Sequence, residues 1–236
     1  MGIYIKQLLA GRDFGLSDYF AAQMANFVYL VGDDVERVCM VVDPAWDIPG
    51  IITSAERDNM QLIGALVTHY HPDHVGGNIF GHDISGLSDL IASVPLKVHV
   101  NTAEAEGVKQ VTGLSDSDIE KHSGGDEILI GNVRIRLLHT PGHTPGSQCF
   151  MVGSALVSGD TLFIGGCGRV DLPGGNPDDM YYSLTRVLSK LPDDTLLYPG
   201  HNYASKMVST IGDENRENHY LRMRSLDDWK SLMGAS

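Results

Sequence analysis

The segment Thr68-His69-Tyr70-His71-Pro72-Asp73-His74 places three histidines and an aspartate within seven residues, directly after the apolar run Leu62–Val67. At the end of a strand, residues i and i+2 face the same side, so His69 and His71 are expected to point at one spot. The proline should end the strand and turn the final Asp-His pair back beside that spot. Crowding three imidazoles gives no packing advantage and costs each ring its solvation, so the segment predicts a metal site.

Three further polar residues come directly after apolar runs, each on a loop rich in glycine or proline: His143, Asp160 and His201. Strand ends that meet at one edge of a sandwich would bring them together with the first segment. Five histidines and two aspartates are too many ligands for one tetrahedral zinc. They suit two metals about 3.5–4 Å apart, as in two-metal hydrolases. A carboxylate can bridge two such metals, and we assign the bridge to Asp160.

Short runs rich in Val, Ile and Leu, bounded by Gly, Asp and Asn, are typical of strands. The predicted strands are Ile3–Leu9, Phe27–Val31, Val38–Val42, Leu62–Val67, Lys97–Val100, Ile128–Ile130, Val133–Leu138, Gln148–Val152, Ala155–Val157 and Thr195–Tyr198. The predicted helices are Ile48–Asn59, Ala103–Val111, Asp178–Lys190 and Glu214–Met223. Tight hairpin turns are expected at Gly131-Asn132 and Gly153-Ser154. The polar stretch Ile79–Pro95 has weak periodicity and predicts a long loop.

Consecutive strands early and late in the chain indicate antiparallel sheets with helices packed outside them, in a layered α/β arrangement. The length of 236 residues, without a linker or low-complexity tract, predicts a single domain over residues 1–236.

The chain is acidic, because 30 Asp and Glu against 17 Lys and Arg give a net charge of −13. Such a charge argues against binding of nucleic acid or an anionic membrane by bulk attraction. Three widely spaced cysteines predict no disulfide framework. No apolar run approaches the roughly 18 residues of a membrane span, and the N-terminus does not resemble a secretory signal. We therefore expect a cytoplasmic protein with no nucleic-acid or membrane partner.

The combined histidine and aspartate pattern resembles that of the metallo-β-lactamase fold superfamily, along nearly the whole chain. The pattern consists of His69-x-His71-x-Asp73-His74, followed by His143, Asp160 and His201. The resemblance implies an α/β fold, a four-layer αβ/βα sandwich of two mixed β-sheets flanked by helices, with metals at the edge where the sheets meet. It also implies how the ligands divide: His69, His71 and His143 hold one metal, Asp73, His74 and His201 hold the other, and Asp160 bridges them.

The segment Thr161–Arg169 resembles the glyoxalase II and persulfide dioxygenase branch of this superfamily, and Asp160 argues against antibiotic hydrolysis. Gly168-Arg169-Val170-Asp171 resembles a Gly-Arg-Thr-Asp pattern of the dioxygenases, but short bacterial glyoxalase II-like hydrolases share it. Dioxygenases usually have aspartate where this chain has Asn202, which favours the hydrolase. The short stretch after His201 predicts that the helical C-terminal domain of full glyoxalase II is absent or reduced.

The preferred interpretation is a metal-dependent hydrolase of a thioester, similar to hydroxyacylglutathione hydrolase, that uses a metal-activated hydroxide. The expected cofactor is Zn²⁺, two per chain, with Fe²⁺ or a mixed Zn/Fe pair as the alternative. Asp73 is the predicted catalytic residue, which would orient the hydroxide as well as bind metal. The alternative is a mononuclear iron persulfide dioxygenase with its iron on His69, His143 and Asp160. A lactonase or other ester hydrolase, and a catalytically silent metal-binding protein, are less favoured.

Two residues are predicted to bind substrate, a small thioester or glutathione-derived molecule. Arg169 can grip a carboxylate bidentately, or else pair with Asp171. Tyr203 can contact substrate or simply pack. The remaining solitary histidines are interpreted as surface or hydrogen-bonded core residues: His82, His99, His122 and His219. A homodimer is expected from base rates alone.

Overall fold

The computed structural model describes residues 2–234. The strands are β1 Ile3–Leu9, β2 Phe27–Asp33, β3 Val38–Val42, β4 Gln61–Leu66, β5 Gly77–Ile79, β6 His82–Ile84, β7 Lys97–Asn101, β8 Ile119–His122, β9 Glu127–Ile130, β10 Val133–His139, β11 Gln148–Val152, β12 Ala155–Gly159, β13 Leu162–Phe163, β14 Gly166–Cys167, β15 Leu196–Pro199 and β16 Ser209–Thr210. The helices are α1 Tyr19–Met24, α2 Ile48–Arg57, α3 Pro72–Val75, α4 Leu87–Ser93, α5 Ala105–Thr112, α6 Pro177–Tyr182, α7 Ile211–Glu217 and α8 Leu226–Met233. A π-helical turn at Ser183–Val187 and a 3₁₀ turn at Leu188–Lys190 continue α6.

Two six-stranded mixed sheets form the centre of the molecule. The first has the strand order β1-β2-β3-β4-β7-β8, and the second has the order β16-β15-β12-β11-β10-β9. In the first sheet β3, β4, β7 and β8 run parallel, whereas β1, β2 and β3 pair antiparallel. In the second sheet only β12 and β15 form a parallel pair. Parallel strands need crossover connections, and helices α2, α4 and α5 lie in those of the first sheet.

Strand β2 illustrates how the sequence builds these layers. Its side chains alternate between two cores, because successive residues of a strand point to opposite faces. Val28 and Leu30 lie in the core between the first sheet and its helices. Phe27, Tyr29 and Val31 lie in the core between the two sheets. A strand with a buried core on each side is apolar throughout, and all seven residues of β2 are buried.

A third core lies between the second sheet and the C-terminal helices. Leu156 and Leu197 from the sheet pack with Met180, Ile211 and Trp229 from α6, α7 and α8. The resulting order is helix, sheet, sheet, helix, so the predicted four-layer αβ/βα sandwich of two mixed sheets is confirmed. The predicted turns at Gly131-Asn132 and Gly153-Ser154 join β9 to β10 and β11 to β12, as expected.

Two of the predicted elements are wrong. The stretch Ile79–Pro95 is not a long loop, because it contains β6 and helix α4, whose Leu87 and Leu90 are fully buried. The predicted helix Glu214–Met223 is wrong for most of its length, because α7 ends at Glu217, turns follow it, and the next helix, α8, begins only at Leu226. Asn218 ends α7 because its buried side chain donates hydrogen bonds to the carbonyl oxygens of Phe163 and Gly166.

Other elements escaped prediction because they are short or polar. Helix α1 has only six residues, and β8 carries Glu, Lys and His in a strand of four. The three cysteines are free, in line with the expectation of no disulfide framework. Within residues 2–234, no helix combines the length and the apolar character that crossing a membrane requires.

Candidate metal centre

The seven predicted ligands converge at one edge of the sandwich. Each lies on a segment that follows the C-terminal end of a strand, namely β4, β10, β12 or β15. Helix α3 divides the first segment, because Pro72 is suited to the first position of a helix and starts a turn there. His69 and His71 lie before this turn, and Asp73 and His74 lie within it. The His69–His71 pair and the Asp73–His74 pair therefore face two neighbouring positions at the edge of the sandwich.

The first group of ligands, which we call the first trio, consists of His69, His71 and His143. Their ligand atoms all lie within 4.8 Å of one another. His71 Nδ1 is 2.9 Å from His143 Nε2. His69 is buried, and its Nε2 has no hydrogen-bond partner among the described residues. A buried nitrogen lone pair without a partner is unfavourable in a protein alone but is what a metal ligand requires.

The second trio consists of Asp73, His74 and His201, again within 4.8 Å. His74 Nε2 is 3.2 Å from His201 Nε2 and 3.3 Å from Asp73 Oδ2. His201 Nε2 is 3.4 Å from the same carboxylate oxygen. All three residues are buried.

Asp160 lies between the two trios. Its Oδ1 is 3.3 Å from His74 Nε2, and its Oδ2 is 3.3 Å from His201 Nε2 and 3.7 Å from His143 Nε2. Oδ1 is buried without a hydrogen-bond partner in the described chain. The backbone makes room for this carboxylate, since a Cβ at Gly200 would lie 2.3 Å from Oδ1. Asp160 therefore contacts residues of both trios, and the nitrogen and oxygen donor set fits zinc, iron or manganese.

The protonation of the two trios differs. Burial and the neighbouring His143 lower the pKa of His71 to about 4, so its ring is neutral and free to bind metal. Burial opposes charge on His74, but Asp73 and Asp160 outweigh it and raise the pKa of His74 to about 10. Burial likewise opposes charge on Asp160, yet His201 and His74 hold its pKa well below the usual range. A metal that binds the second trio would therefore have to displace protons from its histidines.

Three of the ligand rings are fixed by a hydrogen bond at Nδ1, the ring nitrogen that points away from the centre. His143 Nδ1 is 2.8 Å from the Arg169 carbonyl oxygen, and His201 Nδ1 is 2.7 Å from the Met24 carbonyl oxygen. His74 Nδ1 is 3.0 Å from Asp43 Oδ2. In each ring the other nitrogen, Nε2, is directed at the centre, as in metal-bound histidines oriented by an outer acceptor.

The sequence analysis missed three residues that support the ligands. Asp43 accepts hydrogen bonds from the Thr68 backbone and hydroxyl, at 2.7 and 2.6 Å, besides holding His74. Asn26 Nδ2 donates to Asp73 Oδ2 at 3.0 Å, and Asn26 accepts from Trp46. Asp43 follows the apolar strand β3, the same signal that identified the ligands. A lone asparagine carries no comparable signal.

The third missed residue is Glu104, which is completely buried. Its Oε2 accepts a hydrogen bond from the Tyr70 backbone N–H at 2.8 Å. Its Oε1 accepts from the Thr144 hydroxyl at 2.7 Å and the Gly146 N–H at 2.6 Å. One carboxylate therefore joins the loop that carries His69 and His71 to the loop that carries His143.

The predicted substrate residues lie on two sides of the centre. Arg169 forms a bidentate ion pair with Asp171, at 2.9 and 2.8 Å. The sequence predicts this ion pair as the alternative to substrate binding. Arg169 also lines a cavity of about 410 Å³ that includes His71 and Asp73. Tyr203 stacks on the ring of His201 with centroids 4.7 Å apart, and it is 60% exposed. Substrate binding by either residue stays a prediction.

Comparison with known proteins identifies the class that this fold and centre define. The family model described as metallo-beta-lactamase superfamily matches residues 23–201. The chain belongs to this superfamily, as the sequence resemblance predicted, and it is an enzyme of that metal-dependent class.

Relatives of both expected branches are found. The chain is 36% identical over 197 residues to the probable hydroxyacylglutathione hydrolase glo2 of Schizosaccharomyces pombe, covering 79% of this chain and 68% of the relative. It is 31% identical over 236 residues to the human mitochondrial persulfide dioxygenase ETHE1, covering 95% and 82%. The crystal structure of ETHE1 from Myxococcus xanthus superposes with a TM-score of 0.77 at 28% identity, covering 98% and 90%.

Proposed function

We propose that this enzyme is a metal-dependent thioester hydrolase similar to hydroxyacylglutathione hydrolase. The observation that carries the proposal is the pair of ligand trios that meet at Asp160. Two such sets beside a shared carboxylate can hold two neighbouring metals, as in two-metal hydrolases. The relative described as a probable hydroxyacylglutathione hydrolase supports the substrate class.

In this proposal each trio would hold one metal and Asp160 would be a ligand to both. The metals would be two Zn²⁺ per chain, or Fe²⁺ or a Zn/Fe pair in their place. When bound, the metals would polarise the substrate carbonyl and make a bound water acidic enough to act as hydroxide near neutral pH. The fit rests on the unpartnered His69 Nε2 and Asp160 Oδ1.

We assign to Asp73 the role of orienting the attacking water. Asn26, His74 and His201 all contact Asp73 at Oδ2, which leaves Oδ1 for water. The side chain also lines the cavity where substrate would enter. Asp73 would therefore accept a hydrogen bond from the water at Oδ1 and hold it toward the carbonyl carbon.

The cavity beside Asp73 suits a small molecule with apolar and anionic parts. Its walls include Met24, Tyr70, Phe80 and Leu172, and Arg169 also lines it. About 410 Å³ is a typical volume for a small-ligand site. The Arg169–Asp171 pair is exposed to solvent, so a substrate carboxylate can replace Asp171 on the guanidinium at little cost. We assign the contact on the opposite side of the centre to Tyr203.

The test is metal content together with turnover on purified protein. We expect two metals per chain and hydrolysis of hydroxyacylglutathione thioesters, with Arg169→Ala raising KM for anionic thioesters. A matched Arg134→Ala variant, on an exposed side chain of β10, should leave KM unchanged. One metal per chain, or no release of thiol from any glutathione thioester, would refute the proposal.

The second candidate function is an iron-dependent persulfide dioxygenase. It is favoured by the identity to the human persulfide dioxygenase, which extends over 95% of this chain. His69, His143 and Asp160 supply the two histidines and one carboxylate of such a centre. Oxygen consumption on addition of glutathione persulfide to iron-containing protein, with one iron per chain, would establish this function in place of the hydrolase.

We further propose that the substrate is a small molecule and that neither nucleic acid nor membrane is a partner. We also propose that the protein acts in the cytoplasm and forms a homodimer. The net charge of −13 supports the exclusion of nucleic acid. Sedimentation analysis would test the homodimer, and a monomer at micromolar concentration would refute it.

A further inference from the structure

A second group of metal-binding side chains lies outside the two trios, on the edge of the first sheet. His99 is on β7, and Glu120 and His122 are on β8, the neighbouring parallel strand. Val98 and Val100 point into the core beneath the helices, so His99 points to the opposite face of the sheet. Glu120 and His122 are two residues apart and share that face.

The three side chains converge as metal ligands do. His99 Nδ1 is 2.9 Å from His122 Nε2. The Glu120 carboxylate lies 3.8 Å from each of these nitrogens, through Oε2 to His99 and Oε1 to His122. Ligands about 2.0–2.1 Å from a tetrahedral zinc are about 3.4 Å apart, and the observed separations lie on either side of that value.

The surroundings also favour a cation. His99 is 7% exposed, and burial lowers the pKa of its ring, so its imidazole is neutral at pH 7. The other nitrogen of His122, Nδ1, faces the Asp126 carboxylate at 3.9 Å. An outer carboxylate of this kind orients a metal-bound histidine. Glu120 is 55% exposed at its side chain, so an ion here has a path from solvent and room for a water ligand.

We propose that His99, Glu120 and His122 form a peripheral site for Zn²⁺ or a similar late first-row divalent ion. Such an ion would join β8 to β7 where the chain leaves the first sheet. Asp126, the outer carboxylate, directly precedes β9 of the second sheet. The site is structural, because none of its residues belongs to either trio or lines the cavity beside Asp73.

The experiment is a zinc titration of the metal-loaded enzyme, after its resident metals have been counted by elemental analysis. We expect the wild type to bind one further zinc per chain with micromolar affinity, and added zinc to raise its Tm. His122→Gln and Glu120→Gln should lose this zinc and the Tm increase, while keeping the resident metals and turnover. Buried His99 is left unchanged, so that the variants fold.

His219→Gln provides the matched control, because His219 is exposed and lies outside the cluster. It should bind the further zinc as the wild type does. The proposal is overturned if the wild type takes up no zinc beyond its resident metals, in which case His99 and His122 only share a hydrogen bond. It is equally overturned if His122→Gln and the wild type bind the same amount.

Discussion

At the scale of single residues, Asp160 is the side chain on which both halves of the centre depend. Its two oxygens face His143 of the first trio and His74 and His201 of the second. Asp160→Ala should lose metal and activity together, because it removes the ligand that we propose both metals share and leaves the buried histidines without their counter-charge. Elemental analysis and turnover measure the two losses. Asp34→Ala, which removes an exposed ion pair with Arg37, is the control. Full metal content with wild-type turnover in Asp160→Ala would disprove the proposal that Asp160 is a ligand to both metals.

Glu104 is a positioning residue, since its hydrogen bonds within the described residues go to two ligand loops and not to a ligand side chain. In Glu104→Gln the amide oxygen can still accept from Thr144 and Gly146, but the NH₂ group would face the Tyr70 N–H, donor against donor. A buried unsatisfied donor costs about 1–3 kcal/mol. We expect a loss of that size in the free energy of unfolding and faster release of metal to a chelator. Glu106→Gln, on an exposed side chain of helix α5 two residues further on, should change neither quantity.

The charge of Glu104 adds a pH dependence of known sign. Burial raises the pKa of this carboxyl, and its hydrogen bonds from Thr144, Gly146 and Tyr70 only partly oppose the shift. The folded protein therefore binds this proton more tightly than the unfolded chain, so Glu104 contributes stability at low pH that is lost as the pH rises through its folded pKa. As the pH rises from about 4, the ordinary range of a glutamate, through the raised pKa of Glu104, the wild type should lose stability relative to Glu104→Gln. Urea unfolding of both proteins in chelator measures the difference, and a difference constant with pH would contradict this account.

All seven proposed metal ligands could be predicted from the sequence, because each follows an apolar strand and their spacing is distinctive. Their supporting residues could not. Asn26 and Glu104 act through pairings with residues far along the chain, such as Asp73 and Thr144. The residues next to Asn26 and Glu104 in the sequence do not indicate these distant partners, so only the folded structure identifies the two supporting residues.

At the scale of elements, helix α8 anchors the C-terminal layer through Trp229. This side chain is completely buried, and its indole N–H donates to the Pro177 carbonyl oxygen at 2.7 Å. Trp229→Ala should lower the free energy of unfolding by about 3–5 kcal/mol, because it leaves a cavity and removes the hydrogen bond. Leu232→Ala, on a side chain that is 43% exposed, should cost less than about 1 kcal/mol. Equal effects in urea unfolding would contradict the burial of α8.

The loop that carries His143 depends on the same layer. The Ser183 hydroxyl donates to the Pro141 carbonyl oxygen at 2.7 Å. The Asn176 backbone N–H donates to the Gly142 carbonyl oxygen at 2.8 Å. Gly142 has a φ of +134°, and a Cβ there would lie 2.3 Å from the Met180 nitrogen. Glycine at this position thus lets α6 pack against the ligand loop.

The strands were predicted better than the helices, for a physical reason. Strands β2 and β3 are buried on both faces and read as continuous apolar runs. Helix α4 is short and buries little more than Leu87 and Leu90, so its helical period is barely visible in a stretch rich in glycine, serine and aspartate. Tertiary packing, not the local pattern, places such helices.

At the scale of the whole molecule, the metals should contribute to stability. The ligands come from both sheets, so the centre forms only in the folded chain. An ion that binds only the folded state stabilises it by about 2.7 kcal/mol at a free concentration one hundred times its Kd. Chelation should therefore lower the Tm of the wild type, and the Tm of Asp160→Ala should not respond. Thermal unfolding with and without chelator measures this effect, and an unchanged wild-type Tm would contradict it.

The β-bridge between Asn26 and His201 sets an order of events during biosynthesis. A ribosome delivers Asn26, His69 and His71 early, but it delivers His201 only after both sheets have almost been made. The nascent polypeptide therefore carries an incomplete coordination sphere for most of its translation. We expect metal capture to be a late step of maturation, which does not seed folding.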